Sequence, residues 1–260
     1  MQTDMTVGKP MKMLLNFTIP VFIGNVFQQL YSMADAVIVG KFVGTKGLAA
    51  VGATGTITFL IIGFLMGLTT GFTVLTSQKF GAGRMDEMRK TVGNAAILSA
   101  VIAVIMTAVS MLGMHRLLVF MHTPEDIFDG AYGYIMIICA GIFTQVLYNL
   151  VSSVLRALGN SKTPLYFLIL AAGLNIVLDL VFIIFFHWGA PGAAWATVIS
   201  QGVSGLLCLV YIWKAVPELR MKREDWHFNK DIAAKQISVG IPMGLQYSIT
   251  AIGTMMVQSS

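Results

Sequence analysis

The chain has 260 residues, of which 56% are hydrophobic and only 11% charged, with a mean hydropathy of +0.78. A soluble domain carries about twice that charged fraction, so the composition excludes a water-soluble globular protein and predicts an all-α, polytopic membrane protein. The net charge of +5 is spread over separate connections instead of forming a patch, which sets aside nucleic acid and leaves the lipid bilayer as the bulk partner.

Apolar runs fall at 14–38, 53–77, 92–113, 131–154, 164–186, 192–213 and from 237 to the end. Each is near the ~20 residues that a helix needs to cross a hydrocarbon core. All but three of the 17 Lys and Arg lie on one side of these runs. They occur at the amino terminus (Lys9, Lys12), after the second run (Lys79 to Lys90), after the fourth (Arg156, Lys162) and after the sixth (Lys214 to Lys235). Only Lys41, Lys46 and Arg116 lie on the other side. The positive-inside bias then predicts a cytoplasmic amino terminus, with odd runs crossing outward and even runs inward. Met1 to Met13 lacks a small-residue cleavage site, so no leader is expected to be removed.

In the first run Asn25, Gln28, Ser32 and Asp35 recur every three or four residues and line one helix face. Such a stripe faces protein or water, not lipid. Asn25 and Gln28 suit either interhelical hydrogen bonding or a cavity wall. Pro20 lacks an N–H and crowds the preceding turn, which predicts a hinge that would move Asp35, or else a fixed kink. The segments Lys79 to Thr91 and Arg156 to Pro164 are rich in glycine and basic residues but lack phosphate-loop spacing; they read as tight turns with basic anchors. Cys139 and Cys208 sit in apolar runs as packing residues, and His115 and His122 lack zinc-ligand spacing.

The fifth run holds Asn175 and Asp179, four residues apart and therefore on nearly the same helix face. A carboxylate at that depth needs a proton, a cation or a donor. The other acid within a run is Asp35, and no Lys or Arg occupies the middle of any run. Two such acids without a basic partner predict a site occupied in turn by H⁺ or a metal cation; the alternative is a pair of permanently protonated packing residues. The topology places Asp35 and Asp179 late in outward runs and Tyr134 and Thr197 early in inward ones, so all four reach the outer half of the membrane. Asn175 lies one turn nearer the middle. Gly189, Ala193 and Thr197 form a small-residue ridge that admits a close neighbour. Carboxylate, amide and hydroxyl oxygens would suit Na⁺ as a hard cation, and would equally tune a proton site.

The segment from Lys214 to Lys235 is amphipathic and mixed in charge. It precedes Ile237-Ser-Val-Gly-Ile-Pro-Met-Gly, which echoes Asn16-Phe-Thr-Ile-Pro-Val-Phe-Ile-Gly in the first run. Internal symmetry of this kind is common in secondary transporters. The expected organisation is a six-helix transmembrane lobe over 1–213, a cytoplasmic inter-lobe linker over 214–236, and the first helix of a truncated second lobe over 237–260.

Several segments in order resemble the multidrug and toxic compound extrusion (MATE) family, in particular its bacterial DinF-like branch. They are Asp35-Ala-Val-Ile-Val-Gly-Lys-Phe-Val-Gly, Gly47-Leu-Ala-Ala-Val-Gly, Gln78-Lys-Phe-Gly-Ala-Gly, Arg156-Ala-Leu-Gly-Asn-Ser-Lys-Thr-Pro, Asn175-Ile-Val-Leu-Asp179 and Gly192-Ala-Ala-Trp-Ala-Thr197. The resemblance covers the amino-terminal half of such a protein. It implies two six-helix lobes around a cleft, in the bacterial inner (plasma) membrane, exporting organic cations and other drugs in exchange for H⁺ or Na⁺, with no cofactor beyond the coupling ion. The family's amino-lobe cation site is similar to Asp35, Asn175, Asp179 and Thr197 here, with Tyr134 and Asn149 as further polar positions. The topology puts Asn149 late in an inward run, away from the others. The chain reads as a fragment that lacks most of its carboxy-terminal lobe.

Two other functions share parts of this pattern. A lipid-linked oligosaccharide flippase of related architecture would need basic residues within the cleft. An intramembrane aspartyl protease would need two membrane carboxyls in a Gly-x-Gly-Asp setting, whereas here they sit in Met-Ala-Asp35-Ala and Val-Leu-Asp179-Leu.

Overall fold

The computed structural model of the protein describes residues 10–259, with side chains over 11–249. Lys9, counted above among the basic flanks, and Ser260 lie outside the described residues. The chain runs through α1 (Pro10–Phe42), α2 (Thr45–Gly81), α3 (Met85–Phe120), α4 (Glu125–Ala140), α5 (Ile142–Ala157), α6 (Lys162–Asp179), α7 (Gly189–Ala215) and α8 (Lys230–Ser259). No strand occurs among the described residues. Among the described residues five helices are long and apolar enough to cross a membrane, and the bent pair α4 and α5, taken as one span, would make a sixth. Large apolar side chains such as Leu112, Phe120 and Phe185 lie on the outside, 85%, 79% and 77% exposed. Buried positions include Asn94, Asn175 and Asp179. A polar interior beneath an apolar exterior is what a bilayer selects.

The fourth apolar run, expected as one span, is broken at Gly141, where α4 and α5 meet at 47°. A methyl group added to Gly141 would lie 2.2 Å from Val198 Cγ2, so α7 passes where a side chain would stand. The Thr144 hydroxyl donates to the Gly141 carbonyl (2.8 Å), which also accepts the Thr144 N–H (3.0 Å) where α5 begins. The fifth run departs from an α-helix immediately after Asp179: Leu180–Phe185 form a π turn. In it the Phe186 N–H donates to the Val181 carbonyl (3.1 Å). The extra residue in that turn brings Phe182 and Trp188 into a stack with ring centroids 5.0 Å apart, over Gly192 at the start of α7.

α1 continues unbroken through Pro20, which is buried. α8 starts at Lys230 and α7 ends at Ala215, so the last seven residues of the expected linker and its first two are helical. The remaining linker is held against the first turns of α3. Asp225 accepts from the Lys222 N–H (2.7 Å) and faces Arg89 Nε at 3.7 Å, while Arg89 also binds Asp86 and the Glu218 carbonyl. Asn94 accepts from the Asn229 N–H at 2.9 Å. Beyond the linker α8 crosses α2 at backbone distance: a methyl on Gly71 would meet Gly240 Cα at 2.4 Å, and one on Gly67 would meet the Met243 carbonyl oxygen at 2.5 Å. The fully buried Gln236 fastens the same crossing, its Nε2 donating to the carbonyls of Phe72 (3.0 Å) and Thr91 (2.8 Å).

Candidate functional site

Four helices bring polar side chains to one point. Asp35 arrives on α1, Tyr134 on α4, Asn175 and Asp179 on α6, and Thr197 on α7; all five are buried. The carboxyl groups of Asp35 and Asp179 lie within hydrogen-bonding reach of each other. Two adjoining carboxyls can share a hydrogen bond only when one of them holds a proton. No Lys, Arg or His forms an ion pair with either acid among the described residues. Asp35 Oδ1 and Asp179 Oδ1 are buried without a hydrogen-bond partner.

The four-residue spacing in α6 makes Asn175 and Asp179 act together. With its amide turned to satisfy both neighbours, Asn175 donates to Asp179 Oδ2 at 3.3 Å and accepts from the Thr197 N–H at 3.3 Å. The opposite orientation keeps a bond to Thr197 Oγ1 (3.4 Å) but sets the amide oxygen against an acceptor. Thr197 Oγ1 also accepts from the Tyr31 hydroxyl at 3.3 Å. Tyr134 lies in the electrostatic field of Asp35, Tyr31 and Asp179.

Asp35, Tyr31, Tyr134 and Thr197 open onto a cavity of about 650 Å³, whose wall includes Asn25, Gln28, Ser32 and Gln201. The stripe read from the first run is therefore a cavity wall. Asn175 and Asp179 do not line it and are fully buried behind Asp35. Of the two acids, Asp35 is the one that faces the cavity. Asn149 lies apart, as its place late in the fourth run implies: in the middle of α5, it lines a second cavity of about 60 Å³ with Pro20, Asn25, Gln28, Gln145, Arg156 and Gln201. Among the described residues no cluster of three or more His, Cys, Asp or Glu is placed to hold a metal, so any cation here would rely on two carboxylates supplemented by neutral oxygens.

Sequence reasoning passed over Tyr31 and Gln201. Each stands one helical turn from a residue it singled out, Tyr31 before Asp35 and Gln201 after Thr197, and Gln201 Oε1 is buried without a partner. The i, i+4 relation was the signal that could have found both. The sequence places Arg156 as an anchor in a tight turn, and the structure differs. Arg156 belongs to the last turn of α5, and its guanidinium reaches inward to the smaller cavity.

A family model described as MatE matches residues 20–181. The probable multidrug resistance protein YpnP of Bacillus subtilis is 33% identical over 258 residues, which are 98% of this chain and 57% of that protein. The probable multidrug resistance protein NorM of Thermotoga maritima is 28% identical over 252 residues, 94% of this chain and 53% of its own length. Among solved structures, a multidrug resistance MATE family transporter of the MOP superfamily in its outward-facing conformation superposes with a TM-score of 0.89 at 27% identity, covering 98% of this chain and 57% of that one. An inward-facing conformation gives 0.83 at 27% identity, over 89% and 53%. The chain spans about half the length of the relatives it matches.

Proposed function

Since the chain belongs to the MatE family, whose members are transporters and not enzymes, we propose that it is the ion-handling half of a secondary exporter, in which H⁺ or Na⁺ bound at Asp35 and Asp179 is exchanged for an organic cation. In this reading 1–213 is the amino-terminal lobe, 214–236 a cytoplasmic inter-lobe linker, and α8 the opening helix of a second lobe that completes the substrate cleft. The amino terminus is cytoplasmic and the membrane is the plasma membrane, following the basic flanks.

The observation that carries the reading is the meeting of two buried carboxyls, borne by α1 and α6, without a cation opposite them and with one opening onto the large cavity. An organic cation in that cavity and an ion at the acid pair would compete for the same negative charge. A coupled ion biases the cycle only by as much as its affinity differs between states. Asn175, Thr197, Tyr31 and Tyr134 serve as neutral ligands or donors that hold the pair, and Pro20 is the position at which α1 would flex.

The test uses the chain purified into lipid nanodiscs, with ethidium fluorescence reporting occupancy of the cavity. Ethidium is expected to bind more tightly as pH rises, or as Na⁺ is removed. That dependence is expected to fall by about tenfold or more in Asp35→Asn and in Asp179→Asn, on the scale of a lost charge-assisted contact. An unchanged dependence in both variants rules out the acid pair as the coupling site.

A further inference from the structure

Arg156 stands out against the other arginine packed at the same end of the bundle. Arg89 is engaged by Asp86, Asp225 and the Glu218 carbonyl. Arg156 has no carboxylate partner among the described residues; Nη2 donates to the hydroxyls of Ser152 (3.1 Å) and Ser153 (3.3 Å), on its own helix, and no other bond to the guanidinium forms. The smaller cavity that it lines contains no acid, and its other polar residues carry amides or hydroxyls, among them Gln145, Asn149, Gln201 and Tyr148. A part-buried guanidinium that faces a cavity without a counter-charge loses hydration that nothing replaces. Its remaining N–H groups form the fork that matches a carboxylate in two parallel bonds.

We propose that this cavity is an oxyanion site, in which Arg156, supported by the amides of Asn149, Gln145 and Gln201, receives the carboxylate of an amphipathic organic molecule. At about 60 Å³ it has room for a few water-sized groups and admits a carboxylate but not a ring system. The body of the molecule lies in the larger cavity, which shares Asn25, Gln28, Met66, Gln145 and Gln201 as common wall. The two cavities thus present opposite charge at their far ends, Asp35 in one and Arg156 in the other. The cargo is a carboxylate-bearing or zwitterionic amphiphile in addition to a simple cation. The inference rests on reading the larger cavity as the substrate compartment.

Three matched probes test it on the purified chain in nanodiscs: phenylbutyrate, phenylbutyramide and phenylbutylamine, each tritiated and measured by scintillation proximity. The wild type is expected to prefer the carboxylate to the amide by about tenfold, the scale of a charge-assisted hydrogen bond. Arg156→Gln is expected to lose that preference, and Arg156→Lys to keep part of it, because a point charge replaces the fork. Arg156→Gln is expected to bind the amine at least as tightly as the wild type, which separates this site from the acid pair. Should Arg156→Gln fail to fold, phenylglyoxal modification of wild-type Arg156, read by peptide mass spectrometry, replaces it. Phenylbutyrate is expected to protect Arg156 while the amide does not. No preference in the wild type, a preference that survives Arg156→Gln, or protection by chloride equal to that by phenylbutyrate overturns the proposal.

Discussion

Thr197 shows how closely the site depends on single groups. Its hydroxyl accepts a hydrogen bond from Tyr31 while its backbone N–H donates to Asn175, so one residue of α7 ties α1 to α6. Tyr31→Phe keeps the ring and removes that donor; a neutral hydrogen bond contributes about 1 kcal/mol, so the ion dependence of ethidium binding is expected to weaken about fivefold. The melting temperature should barely move. An unaltered ion dependence in ethidium titrations would place Tyr31 outside the network. The residues that sequence reasoning found here share one property, polarity inside an apolar run, where the cost of desolvation makes them conspicuous. Tyr31 and Gln201 escaped because aromatic and amide side chains are also ordinary at membrane interfaces and helix seams. Arg156 escaped for a different reason: a long side chain in a last helical turn can extend to water or fold inward, and only the neighbouring helices decide which.

At the scale of elements, the number and order of the spans were legible from hydropathy, whereas their breaks were not. Glycine is frequent in membrane helices, and nothing near Gly141 in the sequence marks Val198 as the atom group that takes its side-chain space. The π turn after Asp179 likewise depends on the fit of Phe182 against Gly192, a contact between segments ten residues apart that periodicity does not encode. The bend has a direct test. Gly141→Ala sets a methyl against Val198 and is expected to destabilise the protein by about 1–3 kcal/mol, as overpacking does. Adding Val198→Ala should recover most of that loss. The buried thiols of Cys139 and Cys208 provide the readout, since a thiol-reactive fluorophore labels them only as the bundle opens on heating. A double variant no more stable than the single one would locate the cause of the bend elsewhere.

Across the whole molecule, the linker and α8 are fastened to the helices before them. Asp225 is almost fully buried and pairs with Arg89. Asp225→Ala leaves Arg89 with Asp86 as its remaining carboxylate and takes away the acceptor of the Lys222 N–H, at a cost of about 1–3 kcal/mol. The linker should loosen first, so trypsin is expected to cut after Arg220, Lys222 and Arg223 several-fold faster than in the wild type. Equal digestion rates would mean that the segment is held by other contacts. The linker's charge was visible in the sequence; its attachment was not, because Arg89 and Asp225 are far apart in the chain and either could have been an ordinary solvated residue. The glycine crossing of α2 and α8 reaches further. At this crossing Phe64 and Phe72 of α2 lie against Gly244 and Gly240 of α8. A piece cut before α8 would uncover Gly63, Gly67 and Gly71 together with those two rings. Such a piece is expected to self-associate more than one that keeps α8, which shields the surface of the preceding helices.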